Sequence, residues 1–372
     1  MKARILSNCV ALVVALSFNA HAAGLPYLEK GEGEGGKSAS MLKEAYASTS
    51  PEDLGDGIQV GTLDTPGAEA AVKAFIVDDK AGKYQNLDSF LIWKKGKLVF
   101  EMYNRNGRVD LPHYTMSVTK TMTSVVLARA IQLGLLSIAD LDKPVIDFMP
   151  KIDREKIQKG VETITLRDAL FMKSGIRFKE KNYDRKLKEN KQDYFQKIFE
   201  NTEPITAESK KYKYTGLNPS MIMMIIDIKT GGKVEDFIKK EVADKVAEKY
   251  TWGTANGIPK CGAGSHFTSR SLIKVGVAIL QEGKYASEQW LSPDYVKLIM
   301  DTNKGQGYFY YFHNRRKFTS KEKVNFISGI GAGGQYMSIY PDEKMVIVAT
   351  STKSKIGGPL DVIKDHFSNF FE

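Results

Sequence analysis

Ser117 and Lys120 lie three positions apart in a stretch that we predict to open a helix. Residues at this spacing share one face of a helix, with their Cβ atoms about 5–6 Å apart. A lysine placed there can stabilise a seryl alkoxide as an ammonium ion, or accept the hydroxyl proton as a neutral amine. The first turn of a helix also offers unpaired backbone N–H groups, including that of the serine, to a developing oxyanion. The pair therefore indicates a serine that attacks a carbonyl carbon and becomes acylated.

The Ser-x-x-Lys spacing by itself does not identify the nucleophile, because a lysine-rich chain contains it by chance. It occurs at Ser40/Lys43, Ser117/Lys120, Ser271/Lys274 and Ser320/Lys323. Ser40 lies in a leader rich in glycine, serine and glutamate, and Ser320 lies among arginines and lysines in a predicted solvated loop. Ser271 begins a predicted amphipathic helix and is therefore the rival to Ser117.

The sequence around Ser117 favours it over the other three serines. The helix predicted to follow it has apolar residues at spacings of three and four, and Gly134 fits its C-terminal cap. Those apolar residues are Met122, Val125, Val126, Ala130 and Leu133. Two predicted strands, 90–93 and 98–103, precede the helix and are joined by a tight glycine turn. Ser117 thus follows a strand hairpin and opens a helix, and we prefer it as the nucleophile.

Strand-like segments lie near both ends of the chain, and helix-like segments lie between them. The predicted strands are 90–93, 98–103, 324–327, 335–340 and 345–350. The predicted helices are 41–47, 68–77, the helix after Ser117, 164–175 with Thr165 as its N-cap, 219–228, 272–280 and 360–371. This order predicts an α/β fold, in which an antiparallel sheet built from both termini is flanked by helices and encloses a mostly helical insertion.

Residues 1–22 have the pattern of a secretory signal peptide. Two basic residues come first, a short apolar run follows over residues 10–18, and Ala20 and Ala22 give the small-x-small cleavage pattern. The apolar run is shorter than the about 20 residues that a membrane-spanning helix needs. We therefore expect an exported protein, periplasmic or secreted, that is cleaved after about Ala22.

The rest of the chain is predicted to form three regions. Residues 23–85 are a leader and an N-terminal helical region. Residues 86–160 and 265–372 together form the α/β sheet domain. Residues 161–264 form a helical insertion domain.

The positive net charge of the chain indicates which partners it could attract. The formal charge of +10 would fall to about +8 once Lys2 and Arg4 leave with the signal peptide. A basic exported protein is attracted to anionic envelope surfaces, although solubility spread over many lysines explains the same charge. No zinc-finger spacing, aromatic RNA-binding motif or concentrated basic helix indicates a nucleic-acid partner. The histidines show no metal-ligand spacing and no glycine-rich phosphate loop is present, so we expect neither a metal nor a cofactor.

Other residues could carry nucleophilic or proton-transfer chemistry. Cys261 is the single cysteine left after signal cleavage, and a buried structural thiol is favoured over a second nucleophile. A Ser-His-Asp arrangement through His113 or His266 would lack the Gly-x-Ser-x-Gly elbow. Tyr214 is the candidate proton shuttle, because a phenol near a serine and a lysine can pass the hydroxyl proton to a leaving group. The chain has 17 tyrosines, so composition does not single out this one.

The order of several motifs resembles that of the penicillin-recognising serine hydrolase family, from roughly residue 89 to the C-terminus. The motifs are Ser117-Val-Thr-Lys120, Gly134-Leu-Leu-Ser-Ile-Ala-Asp-Leu-Asp-Lys-Pro144, Thr165-Leu-Arg-Asp-Ala-Leu170, Tyr214 and Gly331-Ala-Gly-Gly-Gln335. That family, with its β-lactamase/transpeptidase-like fold, includes class C β-lactamases, D-alanyl-D-alanine carboxypeptidases, esterases and 6-aminohexanoate-dimer hydrolases. Leu98-Val-Phe-Glu101 and Gly333-Gly-Gln335 are most similar to the esterase and dimer-hydrolase branch.

The resemblance implies a role for each matching residue. Ser117 would be the nucleophile, Lys120 its activating partner, and Tyr214 the general base or proton shuttle. The oxyanion would be bound by the N–H group of Ser117 and by the segment Gly331–Ala332. The implied substrate is a small-molecule carboxylic ester or amide, cleaved without a metal or cofactor.

Two positions depart from the family pattern. Gly216 stands where an asparagine often follows the tyrosine, and Gly329 stands where a lysine or histidine often opens the third motif. That cation typically binds a substrate carboxylate. Because Gly329 does not supply it, a β-lactamase or D-alanyl-D-alanine carboxypeptidase is the second alternative, after an esterase or amidase. A catalytically silent envelope binding protein of the same fold is the third, and intact Ser117, Lys120 and Tyr214 argue against it.

Overall fold

A computed structural model describes residues 24–29, 39–84, 86–247, 249–305, 307–318, 323–352 and 359–367. The predicted signal peptide, Ser320 and the end of the predicted C-terminal helix lie outside the described residues. Within these ranges, no helix has the length and apolar character that crossing a membrane requires.

The strands and helices follow the order predicted from the sequence. In chain order, the strands are β1 (Tyr46–Ser48), β2 (Leu87–Lys94), β3 (Lys97–Tyr103), β4 (His113–Tyr114), β5 (Tyr250–Trp252), β6 (Thr254–Ala255), β7 (Ile258–Pro259), β8 (Ser265–Phe267), β9 (Lys284–Tyr285), β10 (Glu288–Gln289), β11 (Gly307–Phe309), β12 (Phe312–Phe318), β13 (Lys323–Gly331), β14 (Gln335–Tyr340) and β15 (Met345–Ser351). The α-helices are α1 (Ala68–Lys80), α2 (Val118–Gln132), α3 (Leu166–Leu170), α4 (Tyr183–Lys186), α5 (Lys191–Asn201), α6 (Leu217–Lys229), α7 (Val234–Phe237), α8 (Asp244–Val246), α9 (Ser269–Leu280), α10 (Pro293–Met300) and α11 (Pro359–His366). Short 3₁₀ helices cover Ile138–Asp142, Val145–Phe148, Val161–Thr163 and Thr302–Lys304, and a π-helix covers Ile238–Ala243.

The main sheet joins the two ends of the chain. In the described residues its strand order is β1-β3-β2-β15-β14-β13-β12-β11, and every neighbouring pair is antiparallel. The early strand β2 pairs with the late strand β15, with Leu91 opposite Val348. The predicted fold, an antiparallel sheet built from both termini with a mostly helical insertion, is confirmed.

Both faces of the central strands are buried, which explains their almost continuous apolar sequence. Because successive side chains of a strand point to opposite faces, Phe90 and Ile92 enter one core while Leu91 and Trp93 enter the other. The first core includes residues of α1 and α11, with the Phe75 ring 5.4 Å from that of Phe90. The second includes residues of α2, α6 and α9. The helix that begins after Ser117 therefore packs within the core.

Three local predictions were wrong. Residues 41–47 do not form a helix, since β1 begins at Tyr46 and pairs with β3. The helix predicted over 164–175 is short: Thr165 caps α3 as predicted, but α3 ends at Leu170, and Met172 is already left-handed with φ 58°. Arg315, Arg316 and Lys317 were predicted to lie in the solvated loop around Ser320, but they belong to β12, where they pair with β13. Among the described residues they lie beyond the part of β12 that pairs with β11, and charged residues are common on the edge strands of sheets.

Candidate active site

The backbone turns sharply between β4 and α2, and Ser117 lies at this turn. Met116 has a φ of 50°, a left-handed conformation that costs a residue with a side chain about 1–2 kcal/mol. Ser117 follows at the N-cap position of α2, and its hydroxyl makes no capping hydrogen bond. All residues from Val118 to Ala130 are buried, so packing fixes the helix. The turn and the helix together give Ser117 a defined position, with a hydroxyl that is not used to cap the helix.

Lys120 lies beside Ser117 on the same face of α2. Its side chain is 3% exposed, and its Nζ atom donates to Ser117 Oγ at 3.2 Å. The same Nζ donates to the carbonyl oxygen of Gly262 at 2.6 Å. No carboxylate of the described residues forms an ion pair with Lys120. The amine is therefore directed at the serine by a neutral backbone acceptor, and it can stabilise or deprotonate the seryl oxygen.

Tyr214 lies over Lys120. The Lys120 Nζ atom is 4.5 Å from the centre of the Tyr214 ring, a cation–π contact. Tyr214 belongs to the irregular segment before α6, and 44% of its surface is exposed. The structure therefore brings the three predicted catalytic side chains together, with the tyrosine in contact with the lysine through its ring.

The end of β13 lies against the turn that carries Ser117. A Cβ atom built on Gly331 would lie 2.5 Å from the Thr115 carbonyl oxygen and 3.0 Å from Met116 Cβ. Only a glycine permits this approach, since real Cβ atoms do not come so close to other heavy atoms. Ala332 follows directly, exposed, in the turn between β13 and β14. The predicted oxyanion segment thus adjoins the residues that precede the serine.

Gly329, where the family often has a cation, faces a filled space. A Cβ atom there would lie 2.7 Å from Thr121 Oγ1. The Thr121 hydroxyl in turn donates to the carbonyl oxygen of Tyr311 at 2.8 Å. A lysine or histidine at this position would therefore have to displace a hydrogen-bonded threonine.

The rival pair Ser271 and Lys274 is engaged elsewhere. Ser271 is 2% exposed, and its Oγ lies 2.7 Å from the hydroxyl of Thr268, the residue that caps α9. Lys274 Nζ lies 3.4 Å from a carboxylate oxygen of Asp56. Ser271 is buried at the start of a helix, and Lys274 forms an ion pair with a carboxylate. This pair therefore stabilises the fold and is not a catalytic site.

The histidines and the cysteine also have other partners. Both ring nitrogens of His113 are used, Nε2 at 2.9 Å from Asp88 Oδ2 and Nδ1 at 3.2 Å from the Tyr114 carbonyl oxygen. His266 stacks on Tyr114, and burial lowers its pKa. Cys261 is buried, its Sγ contacts the Pro259 carbonyl oxygen at 3.0 Å, and burial raises the pKa of the thiol to about 12. Since the thiolate is the nucleophilic form, Cys261 is inert at neutral pH.

Two contacts of this site are not indicated by the sequence. The carbonyl of Gly262 that holds Lys120 belongs to the backbone, which gives no side-chain signal. Thr121 looks like an ordinary helix residue, yet its side chain occupies the space beside Gly329. Over the described ranges, no group of three or more His, Cys, Asp or Glu residues could hold a metal ion.

Comparison with known proteins agrees with this architecture. The Beta-lactamase family model matches residues 86–363. The mouse (Mus musculus) serine beta-lactamase-like protein LACTB, mitochondrial, is 28% identical over 132 residues, which span 35% of this chain but only 23% of the mouse protein.

Two solved structures are similar in fold. A family VIII carboxylesterase superposes with a TM-score of 0.64 at 14% identity, over 84% of this chain and 100% of that one. A class C beta-lactamase superposes with a TM-score of 0.61 at 15% identity, over 83% and 98%. The family model covers most of the chain, and it includes Ser117, Lys120, Tyr214 and Gly331. This chain therefore belongs to the beta-lactamase family and has the fold of its serine hydrolases.

Proposed function

We propose that this protein is an exported serine hydrolase that cleaves a carboxylic ester or amide through an acyl-enzyme on Ser117. The observation that carries the proposal is the 3.2 Å contact between Lys120 Nζ and Ser117 Oγ at the start of a buried helix. Lys120 would activate the hydroxyl, and Tyr214 would pass the proton to the leaving group. The N–H groups of Ser117 and Ala332 would stabilise the oxyanion. Water would then hydrolyse the acyl-enzyme, without a metal or cofactor.

An ester or a simple amide fits this site better than a β-lactam does. Family members that bind a substrate carboxylate often use a cation at the position of Gly329. Here the residue is a glycine and supplies no cation. The Thr121 side chain occupies the adjoining space, so a larger side chain at position 329 would have to displace Thr121. The similar fold of a carboxylesterase is consistent with this choice, and the predicted signal peptide over residues 1–22 supports export.

A fluorophosphonate probe is expected to label Ser117 covalently. The labelled peptide can be identified by mass spectrometry, and Ser117→Ala should abolish the labelling. Ser271→Ala is the matched control, because it removes the serine of a second Ser-x-x-Lys pair and should leave labelling intact. Unchanged labelling of Ser117→Ala would exclude the proposed nucleophile.

Short-chain p-nitrophenyl esters are expected to be turned over faster than the cephalosporin nitrocefin. The reason is that no cation at Gly329 is available to bind the carboxylate of nitrocefin. Comparison of kcat/KM for the two substrate classes tests this order. A higher kcat/KM for nitrocefin would favour the β-lactamase alternative, and no turnover of either would favour a binding protein of the same fold.

A further inference from the structure

Tyr214 needs support from outside its own segment. It lies between Lys213, whose N–H donates to the Met172 carbonyl oxygen at 2.8 Å, and α6, which begins at Leu217. No helix or strand includes it, and nearly half of its side chain faces solvent. Its contact with Lys120 is a ring contact, which depends on where the ring is held. A residue that holds this ring therefore controls the geometry of the site.

Tyr308 of β11 contacts the Tyr214 ring. The two ring centres are 5.6 Å apart and the rings are inclined at 68°, close to the edge-to-face geometry that aromatic pairs prefer. Tyr308 is 7% exposed and also contacts the ring of His313, which lies directly opposite it on β12, at 4.6 Å. The ring of Tyr212 lies 6.2 Å away. Tyr308 is thus a buried support beneath a half-exposed ring.

The hairpin that carries Tyr308 has an unusual turn. Tyr310 and Tyr311 join β11 to β12, and both have left-handed φ values, 51° and 65°. A two-residue hairpin turn with two positive φ angles normally uses asparagine and glycine, which tolerate this conformation. Two bulky tyrosines here are strained, and such strain persists only where the surroundings hold it.

Three hydrogen bonds hold this turn in place. Arg167 Nη1 donates to the Tyr310 hydroxyl at 2.8 Å, and the Tyr311 hydroxyl donates to the Ala169 carbonyl oxygen at 3.1 Å. Thr121, the residue next to Lys120, donates to the Tyr311 carbonyl oxygen at 2.8 Å. The hairpin is therefore fastened to α3 and to the helix that carries Ser117 and Lys120.

These contacts link Lys120 to Tyr214 by a second route, through the β11–β12 hairpin. Thr121, the neighbour of Lys120, binds the turn formed by Tyr310 and Tyr311. That turn joins β11, which carries Tyr308, to β12. Tyr308 contacts the Tyr214 ring, and that ring contacts Lys120. We infer that Tyr308 is a positioning residue that holds the Tyr214 ring against Lys120 for proton transfer. This inference rests on the proposed serine hydrolase function.

The positioning role is assigned to the ring of Tyr308, because the contact with Tyr214 is between the two rings. Burial, with a further contribution from Tyr214, raises the pKa of the Tyr308 hydroxyl well above the ordinary value of a tyrosine, so it stays protonated. Phenylalanine keeps the ring that contacts Tyr214 and should therefore perform this role. Alanine should not, because it leaves Tyr214 without its support.

The test compares Tyr308→Ala with Tyr308→Phe in the full protein. Rates on a p-nitrophenyl ester are divided by the concentration of sites that a fluorophosphonate labels at Ser117, so unfolded protein does not enter the result. Tyr308→Ala is expected to lower kcat by about 10²-fold with little change in KM, the effect of misplacing a catalytic group by about 1 Å. Tyr308→Phe is expected to restore kcat close to the wild-type value.

A second buried tyrosine provides the control. Tyr84 is 2% exposed and packs against Phe75 in the other core, on the far side of the sheet. Tyr84→Ala should lower the melting temperature without changing kcat per labelled site. Wild-type kcat per site in Tyr308→Ala, or equal losses in Tyr308→Phe and Tyr308→Ala, would overturn the inference while Ser117 labelling still supports the hydrolase. Absence of Ser117 labelling in the wild-type protein would overturn both.

Discussion

Replacing Lys120 with alanine is expected to lower kcat/KM for an ester substrate by about 10²- to 10⁴-fold, the usual contribution of general acid–base catalysis. Tyr214→Phe should cause a loss in the same range. Serine is a weak nucleophile at its free pKa, so either change should slow acylation more than it weakens substrate binding. Steady-state kinetics with p-nitrophenyl esters, together with the rate of fluorophosphonate labelling, measure both effects.

The double variant tests whether Lys120 and Tyr214 act on one proton path. Groups that act as a unit are not additive, so Lys120→Ala/Tyr214→Phe should lose much less than the product of the two single losses. Lys274→Ala is the control, because that lysine is paired with Asp56 and contacts no residue of the site. If the losses of kcat/KM in the two single variants multiply in the double variant, Lys120 and Tyr214 act independently. If Lys274→Ala is inactive and Lys120→Ala is active, the nucleophile is Ser271.

Gly331→Ala is expected to lower kcat/KM by about 10²-fold through misplacement of the nucleophile and the oxyanion segment. The added Cβ would lie 2.5 Å from the Thr115 carbonyl oxygen, 2.9 Å from Gln335 Cβ and 3.0 Å from Met116 Cβ. Because these contacts are a backbone atom and two Cβ atoms, which move only with their backbone, either the end of β13 or the turn before Ser117 must move. Overpacking of this kind also costs about 1–3 kcal/mol of stability. Kinetics per labelled site and a thermal melt separate the two effects.

Gly216→Ala is the matched control for this change. A Cβ atom on Gly216 would meet only Gly262 Cα, at 3.7 Å, and the φ of Gly216 is −76°, which any residue adopts. We therefore expect Gly216→Ala to keep the wild-type rate, although it also lies beside the site. Equal activity of Gly331→Ala and the wild-type protein would show that the close approach of β13 does not shape the oxyanion site.

Much of the fold could be predicted because its signals are local. The nearly continuous apolar runs of β2 and β15 reflect burial of both sheet faces, and each strand carries that signal in its own residues. The order of strands then places the two ends of the chain in one sheet. The predictions that were wrong concern segments with mixed signals. Arg315, Arg316 and Lys317 are charged and were predicted to lie in a loop, but pairing with β13 extends them as a strand.

That Ser117 and Lys120 share a helical face can be predicted from the sequence alone, because an i, i+3 spacing in a helix fixes this whatever surrounds the helix. The contacts that each serine and lysine makes depend on the packing of distant segments. This packing ties Ser271 to a cap and Lys274 to Asp56, while it holds Lys120 toward Ser117 with the carbonyl of Gly262.

The same packing fills the space at Gly329 with Thr121 and places the Tyr308 ring against Tyr214. Tyr308 lies almost a hundred positions from Tyr214 in the chain. Contacts of this kind join backbone carbonyls, glycines and ring edges that are distant in sequence. No local pattern records them, because each residue type involved serves equally well in places without catalytic function.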